Sequence, residues 1–187
     1  MDFLKNLDKD LQNALMVQLR NLWTHTSTAI EGNTLTLGET AFLLEEGLTV
    51  SGKPLKDHEE VVGHARAIDI LYELLEKRAD FGKEELFNLH RAVQTQVLLD
   101  IYKPMGAWKK EPNSTVGVIN EKQVVFEYAS PDDVPWLMEN WFDLYRQVDR
   151  ARKTGDSTSA LDAYAALHVS FVRIHPFFDG NGRLARL

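Results

Sequence analysis

The residues best suited to chemistry fall between His175 and Arg186: His175, Phe177, Asp179, Gly180, Asn181, Gly182, Arg183 and Arg186. An imidazole titrates near neutral pH and can take a proton from an attacking hydroxyl. Pro176 disfavours helical dihedrals at His175, so a helix arriving through Leu167 and Phe171 should end there and leave the ring at a helix-to-loop corner. Asp179 supplies a hard oxygen ligand of the kind that holds Mg²⁺ together with phosphate oxygens. Gly180, Asn181 and Gly182 lead into a helix-forming run ending at Leu187. A helix start reached through glycines offers unpaired N–H groups to a phosphate at close range. Arg183 and Arg186 share a face of that helix, whereas Leu184 and Leu187 form a second pair suited to packing inward. A turn that only caps a helix would explain Asp179 to Gly182 alone, but not His175, Phe177 and the arginine spacing as well. Base, carboxylate, anion cradle and guanidiniums together point to attack of a hydroxyl on a nucleotide phosphate.

These groups need a scaffold, and the sequence supplies mostly helices. Periodicity and breakers predict helices at about 10–31, 35–47, 55–78, 83–98, 131–152 and 157–174, then one opening at about 181. Gly47, the run Gly52 to Pro54, the run Ala79 to Gly82 and the run Thr154 to Ser157 separate them. The fold class is therefore mainly α. One stretch departs from it: Thr115 to Val118 and Gln123 to Tyr128 are rich in β-branched and aromatic residues and flank Asn120 to Lys122, which suits a hairpin. In the first helix Leu11, Leu15, Leu19, Leu22 and Trp23 recur at helical spacing, and Gly32 and Asn33 supply a stop. Glu31 then falls in the last turn, where a carboxylate opposes the helix dipole unless a cation answers it.

Composition sets the outer limits. With 187 residues, 44% apolar and 26% charged, the chain can bury one substantial core and reads as a single globular domain. A net charge of −7 without a basic stripe argues against nucleic acid or an anionic membrane as partner. The absence of cysteine excludes disulfides and thiolate metal sites, and no apolar run approaches spanning length, so a cytoplasmic setting is expected.

The segment from His175 to Arg186 resembles the core motif of Fic domains, written H-x-F-x-[D/E]-G-N-G-R-x-x-R, and meets every defined position. The resemblance implies a Fic-fold helical bundle with a β-hairpin flap and, for most members, transfer of AMP from ATP to a Ser, Thr or Tyr hydroxyl of a target protein. It implies His175 as general base, Phe177 as the loop's anchor and Asp179 as the Mg²⁺ ligand. Gly180, Asn181 and Gly182 would form the anion hole, with Arg183 and Arg186 gripping the outer phosphates. The phosphorylating branch of the family has Lys where this chain has Gly182, which favours nucleotidyl transfer.

Ser27, Glu31 and Gly32 fit the family's inhibitory pattern [S/T]-x-x-x-E-[G/N]. The resemblance implies that Glu31 pairs with Arg186 and keeps the γ-phosphate from settling productively. Val116, Gly117, Val118 and Val124 would belong to the flap that adds the target segment as an extra strand. Gly106 to Lys110 resembles the lead into the flap, although Lys109 stands where Arg is usual. On this reading residues 1–187 form one Fic domain, with the inhibitory helix at about 10–33, the flap at about 115–128 and the motif at 175–186. In the family the motif helix runs on for several turns, so the C-terminal part of the family fold is expected to lie outside this sequence.

Two other functions remain open at this point: the reverse hydrolysis, with Glu31 orienting a water to remove AMP, and a non-catalytic nucleotide-binding module. ATP and a target protein are the expected partners, and a homo-oligomer is left open. His58 and Glu59 begin like a zinc-protease helix, but Val62 occupies the second histidine's position. His168 reads as structural, and His25, His64 and His90 receive no chemistry.

Overall fold

The computed structural model describes residues 6–77, 79–94, 101–153 and 157–187. These fall into two compact units, one ending at Asp80 and rejoined by Ala92 to Gln94, the other holding Phe81 to Arg91 and everything from Ile101 on.

The first unit is three helices. Helix α1, Lys9–Ile30, starts on Asp8, whose carboxylate accepts the Leu11 N–H at 2.9 Å. Its buried side is polar: Asn21, Thr24, Ser27 and Thr28, while Leu11, Leu22 and Ile30 stay exposed. The leucine repeat that predicts this helix is thus not its most buried stripe. Asn21 donates across to Glu45 at 2.6 Å, and Thr28 donates to the Thr24 carbonyl one turn back at 2.9 Å. Helix α2, Leu37–Glu46, begins two residues later than expected, because Thr36 and Glu39 form a reciprocal capping box that makes Thr36 the cap. It ends at Gly47 with φ +68°, a left-handed cap that glycine adopts without penalty.

Helix α3, Leu55–Lys77, contributes Val61 to a buried cluster with Leu35 and Leu43. Burying each such side chain contributes roughly 1.5–3 kcal/mol. His58 is a staple here: its Nε2 accepts the Val50 N–H at 2.9 Å and its Nδ1 donates to the Pro54 carbonyl at 2.8 Å.

In the second unit helix α4, Lys83–Val93, belongs as far as Arg91. The predicted continuation stops early, since Gln94 is not helical; residues 95–98 lie outside the described ones. Strands β1, Ser114–Ile119, and β2, Lys122–Glu127, form the expected antiparallel hairpin, pairing Gly117 with Val124 and Ile119 with Lys122. Asn120 and Glu121 turn it with φ +49° and +64°, the pair of left-handed residues whose twist matches the strands. Helix α5, Val134–Lys153, starts after a turn in which Asp133 and Val134 both donate to the Ser130 carbonyl, three residues beyond the predicted start. Helix α6, Ser157–Ile174, packs on α5: Trp141 donates to the Leu167 carbonyl at 3.0 Å, and its ring meets Phe171 at 5.5 Å. The short α7, Asn181–Ala185, closes the sequence. No described helix is long and apolar enough to cross a membrane.

Candidate active site

Helix α6 delivers His175. Its N–H still closes a helical bond to the Phe171 carbonyl at 2.9 Å, yet its φ is +52°. Pro176 excludes the right-handed helical region as expected, and the chain turns into the left-handed region, which is costly for a residue with a Cβ. The imidazole Nδ1 lies 3.3 Å from the Val172 carbonyl. A carbonyl only accepts, so Nδ1 carries the hydrogen and Nε2 is the basic nitrogen. The Tyr128 ring lies parallel to the imidazole, 3.8 Å away at 9°.

Two residues on, Phe177 is fully buried and anchors the loop as expected. It stacks on His90 at 3.9 Å and touches the rings of Trp108 and Phe87 at 5.4 and 6.1 Å. Asn181 holds its backbone from both ends: the side-chain oxygen accepts the Phe177 N–H at 3.0 Å and the amide donates to the Phe177 carbonyl at 2.8 Å. The Asn181 side chain is therefore consumed within the loop, and what this residue offers an anion is its backbone N–H. Asn113 donates to the same carbonyl at 3.0 Å, and its oxygen accepts from Lys109 Nζ at 2.6 Å.

His90 has a role that the sequence did not disclose. Its Nδ1 accepts the Gly106 N–H at 2.8 Å, so the hydrogen sits on Nε2 and points at the Asp179 carbonyl at 3.2 Å. Burial pushes its pKa down to about 4, so the ring is neutral at pH 7. It splints the motif loop to the lead into the hairpin. A positive φ at Gly106 makes the contact possible, and a Cβ there would run into the Arg91 side chain.

Past Asp179, Gly180 adopts φ +80° and forms the N-cap of α7 with no side-chain cap bond. The first N–H groups of the turn, from Asn181 to Arg183, are those an anion would meet. Arg183 is buried, with Nη2 3.4 Å from Asp179 Oδ2, and Arg186 is the C-terminal cap of the turn. His168 donates from Nδ1 to the Ala185 carbonyl at 2.9 Å, the structural role expected of it. Asp179 is the loop's one carboxylate and its side chain is 62% exposed. Among the described residues no three His, Cys, Asp or Glu gather around a common point. This donor set fits a hard cation held by one carboxylate together with phosphate oxygens, and does not fit one caged by protein alone.

The second unit thus brings together His175, Phe177, Asp179, Gly180, Asn181, Gly182, Arg183 and Arg186. Val116 and Val118 of the hairpin are 60% and 70% exposed, Gly117 and Val124 less so. A Cβ at Gly117 would meet the Phe126 ring at 2.9 Å, so glycine is what lets that ring lie across the pair. Ser27, Glu31 and Gly32 belong to the first unit. Ser27 is buried, Glu31 is the C-cap itself, one position beyond the last helical residue, and Gly32 follows with φ +91°. The next turn is tied down: Asn33 donates to the Asp57 carbonyl at 2.9 Å, and the Thr34 N–H and hydroxyl reach the Asp57 carboxylate at 2.8 and 2.6 Å.

Comparison with known proteins agrees with this geometry. A model of the Fic/DOC family matches residues 80–187, more than half of the chain. "Protein adenylyltransferase fic-1" of Caenorhabditis elegans is 33% identical over 171 residues, 89% of this chain and 30% of that protein. "Protein adenylyltransferase Fic" of Drosophila melanogaster is 32% identical over 164 residues, 86% of this chain and 30% of that protein. The chain therefore spans less than a third of the length of these curated relatives. The crystal structure of a Fic domain containing signaling protein from Bacteroides thetaiotaomicron superimposes with a TM-score of 0.82 at 32% identity, covering 98% of this chain and 65% of that one. A Fic-1 structure from C. elegans gives 0.65 at 27% identity, covering 92% and 46%.

Proposed function

Because the chain belongs to the Fic/DOC family, we propose that it transfers AMP from ATP to a hydroxyl side chain of a target protein and is restrained by its own Glu31. The observation that carries this reading is the tautomer of His175: with Nδ1–H directed at the Val172 carbonyl, Nε2 is the atom that accepts a proton, four residues ahead of a carboxylate and a glycine-framed helix start. The target hydroxyl oxygen attacks the α-phosphorus as Nε2 takes its proton. A new P–O bond forms, the bond to the β-phosphate oxygen breaks, and pyrophosphate leaves. The N–H groups from Asn181 to Arg183 cradle the α- and β-phosphates, while Arg183 and Arg186 hold the outer ones. Positioning of this kind supplies much of the rate in phosphate transfer. Asp179 would hold Mg²⁺, which when bound neutralises phosphate charge.

Glu31 sits at the negative end of α1, where its carboxylate favours a cationic partner. We assign that partner as Arg186, by the family's pattern, with Ser27 and Gly32 shaping the turn. The hairpin would take the target segment at Val116, Gly117, Val118 and Val124, where exposed apolar side chains flank a strand edge left unpaired among the described residues. A cytoplasmic setting rests on the cysteine-free composition.

The test uses Mg²⁺ and ATP labelled at the α-phosphate, with wild type, Glu31→Gly and the double variant Glu31→Gly/His175→Ala, scoring label on the protein. Label in Glu31→Gly alone is expected. Equal label after His175→Ala would overturn the base assignment. Release of AMP from a pre-modified target by wild type, lost in Glu31→Gly, would favour the reverse hydrolysis.

A further inference from the structure

The root of the hairpin is where the catalytic loop is held. The ladder pairs Ser114 with Glu127. One step below, the Tyr128 N–H donates to the Asn113 carbonyl at 3.3 Å. Both root residues engage the motif. Tyr128 stacks on His175, centroids 3.8 Å apart and planes at 9°. Asn113 donates to the Phe177 carbonyl at 3.0 Å, with the Phe178 carbonyl at 3.4 Å. Lys109 joins them: its N–H donates to the Pro176 carbonyl at 2.9 Å, its Nζ reaches Asn113 Oδ1 at 2.6 Å, and that Nζ lies 5.9 Å from the Tyr128 centroid.

We propose that Tyr128 is a positioning residue for His175, its ring fixing the rotation of the imidazole so that Nε2 faces the reacting hydroxyl. The proposal rests on His175 being the base of the reaction above. The contact of Nδ1 with the Val172 carbonyl at 3.3 Å chooses which ring edge faces out, and the plane of the ring decides where that edge points. The backbone gives little help, since φ +52° persists only where neighbours over-determine it. A parallel ring at 3.8 Å fixes that plane, favouring stacked orientations over tilted ones by roughly 3- to 10-fold, the range of aromatic pair energies. The hydroxyl of Tyr128 is not needed for this; the ring is. Because Tyr128 continues β2, a target segment held on the hairpin is held by the same strand that aims the base.

The experiment uses the full chain carrying Glu31→Gly, with Tyr128 intact, as Tyr128→Phe, and as Tyr128→Leu. Tyr128→Leu should lower kcat for AMP transfer about 10-fold with KM for ATP changed less than about 2-fold, and Tyr128→Phe should stay within about 2-fold of the parent. A merely structural role would move KM and kcat together and leave both variants alike. A second readout does not need activity: carbethoxylation of His175 by diethyl pyrocarbonate, located by peptide mass mapping. It should quicken about 3- to 10-fold in Tyr128→Leu and not in Tyr128→Phe. In the protein with Tyr128 intact, the His175 ring protons should be shifted upfield by the neighbouring ring current, which holds even if Tyr128→Leu fails to fold. Unshifted ring protons, or a Tyr128→Leu protein whose His175 reacts at the parental rate, would overturn the proposal. The expected carbethoxylation differences with no AMP transfer in any protein would instead count against the transferase reading and leave the stack standing.

Discussion

The Phe177 carbonyl accepts two side-chain amides, Asn181 at 2.8 Å and Asn113 at 3.0 Å, whereas among the described residues the Phe177 N–H donates to Asn181 alone. That asymmetry predicts a non-additive pair of substitutions. Asn181→Ala strands a buried N–H, which costs about 1–3 kcal/mol, but leaves the carbonyl served by Asn113. Asn113→Ala leaves the carbonyl served by Asn181 and removes the acceptor of Lys109 Nζ, a loss of about 1–2 kcal/mol. Only the double variant strands the carbonyl too, so its cost should exceed the sum of the two by about 1–2 kcal/mol. Equilibrium urea unfolding of the four proteins measures the cycle, with a common slope as the check that unfolding stays two-state. Amide exchange gives a local readout: the Phe177 N–H should exchange faster in Asn181→Ala and not in Asn113→Ala. Additivity within about 0.5 kcal/mol would refute the idea that both amides serve one carbonyl.

Other outcomes follow from single contacts. Gly106→Ala combines an unfavourable left-handed φ with a Cβ driven into Arg91, and displaces the N–H that His90 accepts. It should cost about 2–4 kcal/mol and lower Tm by several degrees; an unchanged Tm in a melting experiment would contradict it. Lys109 is buried and its pKa is lowered to about 8, with desolvation as the cause. The unfolded chain keeps this proton up to about 10.4, so between about 8 and 10.4 it binds more protons than the folded one. Stability of wild type relative to Lys109→Met should therefore rise with pH across that window, and a flat difference in urea midpoints would remove the assigned burial cost.

The motif was legible because its residues are local in sequence: imidazole, carboxylate, glycines and arginines follow one another, and Pro176 and Gly180 mark where helices stop and start. The hairpin was legible for a similar reason, as two β-branched runs around a short polar turn. Helix starts were less so. Thr36 with Glu39, and Ser130 with Asp133, set those boundaries by side-chain bonds that periodicity does not register. The buried face of α1 was misleading in a specific way: leucines announced the helix, while hydroxyls and Asn21 occupy its most buried positions, where Thr28 bonds back to the Thr24 carbonyl and Asn21 donates to Glu45 of α2.

His90, Asn113 and Tyr128 escaped the sequence reading although each touches the motif. None carries a spacing signal, since their partners lie 89, 64 and 47 residues away by way of Asp179, Phe177 and His175. The signal that was present is weaker: a histidine on the apolar side of α4 beside buried Leu86 and Leu89, and an aromatic residue just past the end of a strand. A motif read by spacing names the groups that meet the substrate. What holds them at fixed angles comes from other elements, and here it converges on one loop. Asn113 fixes the Phe177 carbonyl, His90 fixes Asp179 through its carbonyl, and Tyr128 covers His175. If positioning supplies much of the rate, substitutions at these outside residues should lower kcat while sparing nucleotide binding, whereas those at Arg183 or Arg186 should weaken nucleotide binding first. Isothermal titration with ATP beside turnover measurements separates the two groups, and a Tyr128 or His90 variant that binds ATP as poorly as Arg186→Ala would collapse the distinction.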